Sequence, residues 1–421
     1  MILPFDRPGP LTPPPEYARL RDIAPVARVR TPDGREAWLV TSYDAVATVL
    51  SDRRFGLAPP GDAHPGNETL FQDGEAHARL RRLVSKAFGP RAIEGMRARV
   101  ERVADEHVAA LAGSGPPADL VAGLAAPLSI TVIGELLGVD AGDRAHVEEL
   151  AGAGGADFVF GDEEELARAG EAWEKLTAYA ATLVEARRAA PGDDLLSSLI
   201  AVRDTQDGRL GDGELVAMAA TVVSAGYLSA RNAISTATLR LLAEDRLTDV
   251  TGALDGEGPP SGAGERCAVG TPSGAGGRRA VDTPPGADGR LGAVVEEVLR
   301  LQSGLTGEPF PRFAQTDLDL AGVAIAAGDL VLVRLEAAHR DPRHFPDPDT
   351  FVAGRGSSPS LVFGHGVHHC LGAPLARLEV GAALAALARR LPGLRLLGTA
   401  GDLTWARDGV DIGPAALHVT W

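Results

Sequence analysis

Ten residues near the C-terminal end, Phe363-Gly364-His365-Gly366-Val367-His368-His369-Cys370-Leu371-Gly372, constrain this chain more than any other stretch. Cys370 is one of only two cysteines in 421 residues. It stands in a glycine-punctuated loop, after the short apolar run Ser360-Leu361-Val362-Phe363 and before an amphipathic segment, Ala373 to Leu391. The glycines let the backbone turn tightly. A helix starting straight afterwards directs unpaired N–H groups and its positive dipole end at the sulfur, which favours the thiolate. A soft, anionic ligand to haem iron needs such a setting. A buried, inert thiol is the commoner fate of a lone cysteine, but it needs no turn of this kind. His365, His368, His369 and Cys370 also admit a zinc reading, which is weak because four donors in six positions are too crowded for a tetrahedral site.

The pattern F-G-x-G-x-H-x-C-x-G, met at Phe363, Gly364, Gly366, His368, Cys370 and Gly372, resembles the haem-thiolate loop of the cytochrome P-450 family. The next stretch, Ala373-Pro374-Leu375-Ala376-Arg377-Leu378-Glu379, is similar as well, and the resemblance runs over nearly the whole chain. It implies haem b as cofactor and dioxygen as co-substrate, with Cys370 as the metal ligand, Phe363 beside the thiolate, and Gly364 and Gly372 shaping the loop. It further implies that His77, Arg81, Arg312 and His368 hold the haem propionates. The residue types suit that task, because buried carboxylates need charge-assisted donors. Glu297 and Arg300, taken alone an ordinary i, i+3 pair on a helix face, resemble the family's structural E-x-x-R pair. The third partner is usually an arginine in a P-x-R-F-like sequence. Here Asp347-Pro348-Asp349-Thr350-Phe351 puts Thr350 in its place, with Arg355 the candidate substitute.

The central apolar segment, Ala219 to Leu242, carries an anomaly. Ala225-Gly226-Tyr227-Leu228-Ser229-Ala230 is similar to the family's A-G-x-[D/E]-T-T, in which glycine makes room for dioxygen, the acid feeds a proton relay and the hydroxyl assists O–O cleavage. Ala225, Gly226 and Ser229 are therefore expected at the oxygen site. Leu228 stands where the acid belongs, and leucine cannot move protons. Ordinary hydroxylation or epoxidation then requires a substitute relay. The alternatives on the same scaffold are oxidative coupling, rearrangement, desaturation or peroxide-driven oxidation, or a haem-binding sensor without turnover.

A formal net charge of −16 argues against general binding to nucleic acid or anionic membranes. Two cysteines supply no disulfide framework, and the N-terminal residues form neither a signal peptide nor a spanning helix. The expectation is a soluble, cytoplasmic monomer; the Ala-, Gly- and Arg-rich composition points to a GC-rich bacterial source. The resemblance implies a small-molecule substrate, probably the wrong word for none of its readings being secondary metabolism, and electrons from a ferredoxin and ferredoxin reductase. Exposed Arg79, Arg82 and Lys86 are candidates to meet that acidic donor. Substrate selection is expected in the Gly56–Phe71 loop, the 150–165 region and Leu305–Phe313.

The periodicity predicts a mainly α protein with a small β portion, a single domain over 1–421. A hairpin is expected at Val26–Arg30 and Glu36–Val40, then a helix opened by a Thr41/Asp44 capping box. Helical patterns cover 77–111 (broken at Gly89-Pro90), 119–137, 143–151, 163–189, 193–203 and 212–245, with short strands at 318–325 and 329–335. Residues 1–25, rich in proline, read as extended. Residues 252–289 hold Gly or Pro at 16 of 38 positions and a 12-residue tandem repeat, Gly262 to Ser273 and Gly274 to Pro285. They read as a disordered insertion in which Cys267 has no role.

Overall fold

The computed structural model describes residues 1–62, 69–85, 87–153, 163–205, 210–256, 289–305, 310–356, 358–408 and 411–421. In chain order the helices are α1 (Pro15–Ile23), α2 (Tyr43–Ser51), α3 (Gly74–Val84), α4 (Pro90–Ser114), α5 (Ala126–Leu137), α6 (Arg144–Ala153), α7 (Glu163–Ala189), α8 (Leu195–Thr205), α9 (Asp212–Ala243), α10 (Leu247–Leu254), α11 (Gly289–Gln302), α12 (Leu335–Ala338) and α13 (Ala373–Arg390). The strands are β1 (Val26–Arg30), β2 (Glu36–Val40), β3 (Phe55–Gly56), β4 (Ala118–Asp119), β5 (Arg312–Ala314), β6 (Leu318–Leu320), β7 (Val323–Ile325), β8 (Leu330–Val333), β9 (Arg395–Leu396), β10 (Trp405–Asp408), β11 (Asp411–Pro414) and β12 (His418–Thr420).

The helical layer is organised around α9. Its 32 residues give a rod about 48 Å long at 1.5 Å per residue. Being apolar on nearly every face, it must be covered on every face. It packs against α5, α6, α7, α11 and α13. By length and composition α9 could cross a membrane; here its apolar surface is used inside the fold, with Leu215, Met218, Ile234, Leu239 and Leu241 wholly buried. A second contact, α4 against α13, extends the same core.

The β portion is a five-stranded sheet in the order β1-β2-β8-β5-β3, with β2 and β8 parallel and the other neighbours antiparallel. The expected hairpin forms in the register Arg28↔Trp38, the Arg28 guanidinium lying 4.6 Å from the centre of the Trp38 ring. Alternation places Val26 and Val40 in one core cluster, and Ala27, Val29 and Leu39 in another.

Three expectations change. Residues 1–25 are not all extended, because Pro15 at the first turn opens α1 and buries Tyr17 and Leu20. The Thr41/Asp44 capping box does not form: Ser42 is the N-cap, Thr41 Oγ1 donates to the Pro25 carbonyl, and the Asp341 carboxylate accepts from Tyr43 N at 3.2 Å. A distant carboxylate has taken the local cap's place. At the edges of the 252–289 segment, Gly252 to Leu254 continue α10 and Gly289 begins α11. Residues 257–288, with the repeat and Cys267, lie outside the described residues.

Candidate functional site

The cysteine loop is closed by its own backbone. Gly364 N donates to Leu361 O, and Cys370 N to Phe363 O, both at 2.8 Å. Gly364 and Gly366 have φ of +76° and +73°, where a side chain is strained. At Gly366 a Cβ would also lie 2.6 Å from the Leu50 carbonyl oxygen, so glycine lets the loop press onto the end of α2. His339, wholly buried, holds the lead-in segment: its Nε2 accepts from Leu361 N at 2.8 Å while Nδ1 meets Ser303 Oγ at 2.8 Å.

Cys370 is surrounded by protein on nearly all sides, yet its surface is open. It therefore lines unfilled space rather than the outer surface. Burial pushes its thiol pKa up, opposed by the N–H groups of Gly372 and Ala373 at the start of α13 and by the charges of Arg81 and Arg377. The sulfur thus faces donors that would stabilise a thiolate, and metal ligation would remove its proton. The Phe363 ring lies 4.4 Å beneath the Arg377 guanidinium, and a Cβ on Gly372 would meet nothing within 4 Å.

Beside the loop lies a cationic cluster. His77 is 3% exposed, its Nε2 has no hydrogen-bond partner, and its ring lies 4.3 Å from that of His368. Burial, reinforced by His368 and Arg81, pulls the His77 pKa down to about 4. Arg312, 4% exposed, donates only to the carbonyls of Phe310 and Pro311; burial lowers its pKa to about 10, opposed by Asp73. A buried guanidinium without a carboxylate against it, next to an unpartnered imidazole, is costly as it stands and suits an anion. The haem implied by the resemblance fits: open space at the sulfur, and unsatisfied donors where carboxylates would sit. Arg81 is placed differently, spending one edge of its fork on the His369 carbonyl of the cysteine loop. Sequence reasoning missed Asp73, the N-cap of α3, whose Oδ1 holds His368 Nε2 at 2.8 Å and whose Oδ2 accepts from Leu57 N. An aspartate just before a glycine-initiated helix was the available signal. Among the described residues no three His, Cys, Asp or Glu side chains converge as a zinc site would require.

On α9, Ala225 is exposed although the helix is buried on either side along its length. Ser229, one turn on, donates its hydroxyl to the Ala225 carbonyl. Both therefore border an opening. Gly226 does not: a Cβ there would lie 2.5 Å from Ile133 Cδ1 of α5. The expectation that this glycine makes room for dioxygen is replaced by helix packing. Leu228 is 6% exposed and belongs to the large core, while Tyr227 donates to Glu148 of α6 at 2.8 Å.

Beneath the loop, the Glu297–Arg300 pair is buried, at 2.8 and 2.9 Å, and Arg300 also donates to the His339 carbonyl. Arg355 completes the set. Its Nε donates to Glu297 Oε1 at 3.1 Å, and its other nitrogens to the carbonyls of Pro346, Asp347 and Thr350. Thr350 contributes only its backbone to the role its position suggested.

The basic residues offered to a redox partner divide. Arg82 is exposed, Arg79 is paired with Glu214 of α9, and Lys86 is outside the described residues. Parts of the three substrate-selecting segments (63–68, 154–162 and 306–309) also lie outside them. The first and third segments touch through Phe71 and Phe310, whose ring centres are 4.8 Å apart.

Comparison with known proteins follows the same lines. A family model described as Cytochrome P450 matches residues 291–391. The mycinamicin IV hydroxylase/epoxidase of Micromonospora griseorubida is 38% identical, over 99% of this chain and 98% of its own. The crystal structure of the LnmA cytochrome P450 hydroxylase from the leinamycin pathway of Streptomyces atroolivaceus superposes with a TM-score of 0.82 at 36% identity, covering 100% of both chains. A solved cytochrome P450 with biaryl coupling reactivity gives 0.81 at 32% identity, also over 100% of both.

Proposed function

The chain belongs to the cytochrome P450 family, and on that footing we propose that it hydroxylates or epoxidises a small organic molecule in bacterial natural-product biosynthesis. It is a haem-thiolate oxidoreductase, with haem b as cofactor and dioxygen as co-substrate. Haem b, when bound, supplies activation of dioxygen and insertion of one oxygen atom into the substrate. In this reading Cys370 ligates the iron, and its loop and the start of α13 orient and electrostatically support the sulfur. Arg312, His77 and His368 hold the propionates, with Arg81 anchoring the loop. Ala225 and Ser229 border the oxygen side, where the Ser229 hydroxyl is placed to hold or pass a proton. Glu297, Arg300 and Arg355 keep the floor of the loop rigid.

The remaining assignments are a ferredoxin with its reductase as electron source, a cytoplasmic location, a monomeric state, and no nucleic-acid or membrane partner. The Gly/Pro-rich 252–289 segment is assigned as a tolerated surface insertion within one domain.

The observation that carries the reading is Cys370, opening onto unfilled space beside donors that lack an acceptor. Its test is the absorption spectrum of the reduced, carbon-monoxide-bound protein. A red-shifted thiolate-type Soret band is expected, absent in Cys370→Ala; a histidine-type band in the wild type would overturn it. A second reading, oxidative coupling or another atypical oxidation, is favoured by Leu228 in place of the acid and by the likeness to a protein with biaryl coupling reactivity. Products from phenolic and non-phenolic test substrates separate the two.

A further inference from the structure

Insertion of oxygen consumes two protons: RH + O2 + 2e⁻ + 2H⁺ gives ROH + H2O. When protons arrive too slowly, the same two electrons and two protons leave with oxygen as H2O2. With Leu228 at the acid's position, the protons need another route.

One face of α9 carries polar atoms that nothing satisfies. Ser229, Ala233, Thr236 and Arg240 recur at i, i+4, i+7 and i+11, which puts them on one stripe, with Asn232 at its edge. Asn232 and Thr236 are 0% exposed, and neither Asn232 Nδ2 nor Thr236 Oγ1 has a partner. Gln302 of α11, also 0% exposed, reaches this stripe with its Nε2 3.5 Å from the Ala233 carbonyl, leaving Oε1 unpartnered. Further along, Arg240 is 5% exposed with an unpartnered Nε. Other hydroxyls of α9 behave differently: Thr221, Ser235 and Thr238 each donate to the carbonyl four residues back. Thr236 has the same option and does not use it. Buried polar groups are almost always satisfied, and where protein does not do it, internal water does.

The stripe has two usable ends. At one, Ser229 borders the opening beside Ala225. At the other, Arg240 Nη1 donates to Glu244 at 2.6 Å, and the Glu244 side chain is 32% exposed. That ion pair neutralises the one cation on the stripe, so it does not repel an excess proton.

We propose that this face of α9, from Ser229 past Asn232, Thr236 and Gln302 to Glu244, holds a file of internal waters that carries protons to the reaction site in place of the missing acid. The proposal rests on the monooxygenase reading. Asn232, Thr236 and Gln302 are positioning residues in it, acting through water on Ser229.

The test uses Thr236→Val and Gln302→Leu, with Thr238→Val as control. Because Thr236 Oγ1 makes no bond in the protein, removing it leaves the urea midpoint unchanged or raised. Oxygen-17 relaxation dispersion counts long-lived internal waters without any turnover; the count falls in the two variants and not in the control. With spinach ferredoxin, its reductase and NADPH, the fraction of NADPH recovered as H2O2 rises at least two-fold in Thr236→Val and is unchanged in Thr238→Val. Equal water counts in all forms, or equal H2O2 fractions, overturn the proposal. A wild type that consumes no NADPH with dioxygen counts against the monooxygenase reading instead, and the water count alone then decides whether the file exists.

Discussion

Glu297 is the residue whose loss the structure makes most costly to the floor of the site. Its side chain is 4% exposed and meets Arg300 at 2.8 and 2.9 Å, Arg355 at 3.1 Å and Val352 N at 2.9 Å. Glu297→Gln keeps the shape but leaves two buried guanidinium groups facing a neutral amide. Breaking a buried pair in this way costs about 3–5 kcal/mol. Arg355→Ala costs less, because Glu297 retains Arg300 and the Val352 N–H; one charge-assisted hydrogen bond accounts for about 1.5–3 kcal/mol. Its bonds to the carbonyls of Pro346, Asp347 and Thr350 survive in either background and cancel in a double-mutant cycle. The coupling energy between the two substitutions is thus expected at about 1.5–3 kcal/mol. Urea unfolding of the haem-loaded protein, followed by circular dichroism, reads it directly. With a slope near ~3 kcal/mol/M, Glu297→Gln lowers the midpoint by about 1 M. Burial raises the Glu297 pKa, but Arg300, the Val352 N–H and Arg355 outweigh it and hold the carboxyl below its ordinary value. The stabilisation is therefore complete above the unfolded carboxyl pKa and disappears as pH falls through the lower folded one. If Arg355→Ala matches the exposed control Arg395→Ala, or the cycle shows no coupling, Arg355 is not the third member of this set.

His339 is held neutral: burial, then the charges of Arg300 and Arg340, lower its pKa to about 3. Between pH 6.5 and 3 the unfolded chain binds a proton that the folded one does not, so stability rises with pH there; in His339→Gln a series of urea midpoints should lose one proton's worth of slope, about 1.4 kcal/mol per pH unit. Gly226→Ala should cost about 1–3 kcal/mol in the same assay through its clash with Ile133 Cδ1. Ile133→Val, which removes that carbon, should restore the loss, and an equal loss in both backgrounds would refute the contact.

Much of the architecture was legible because its signals are local. The hairpin at Val26–Val40, the break at Gly89-Pro90 and the long apolar run of α9 each follow from periodicity and from residues that stop or turn the chain. Reading failed where a partner distant in sequence took over a local task. Asp341 caps α2 from nearly 300 residues away, so the Thr41/Asp44 box was misread. Asp73 holds His368 from the start of another helix. Gly226 matched a motif whose meaning depends on which way the helix is turned, and here that face is filled by Ile133.

By itself, the sequence determined the kind of site. A loop that must turn on glycines and present one cysteine to a helix N-terminus is specified within ten residues, because tight backbone geometry and the choice of a soft ligand are both local matters. The tertiary structure decided what surrounds it. Arg355 rather than Thr350 completes the buried ion set, Arg81 serves the loop, and the unsatisfied atoms of Asn232, Thr236 and Gln302 meet along one face of α9. Those outcomes depend on which faces of separate helices come together. Burial sets their energetic weight, since an unpaired polar atom is inexpensive in water and costly in a core.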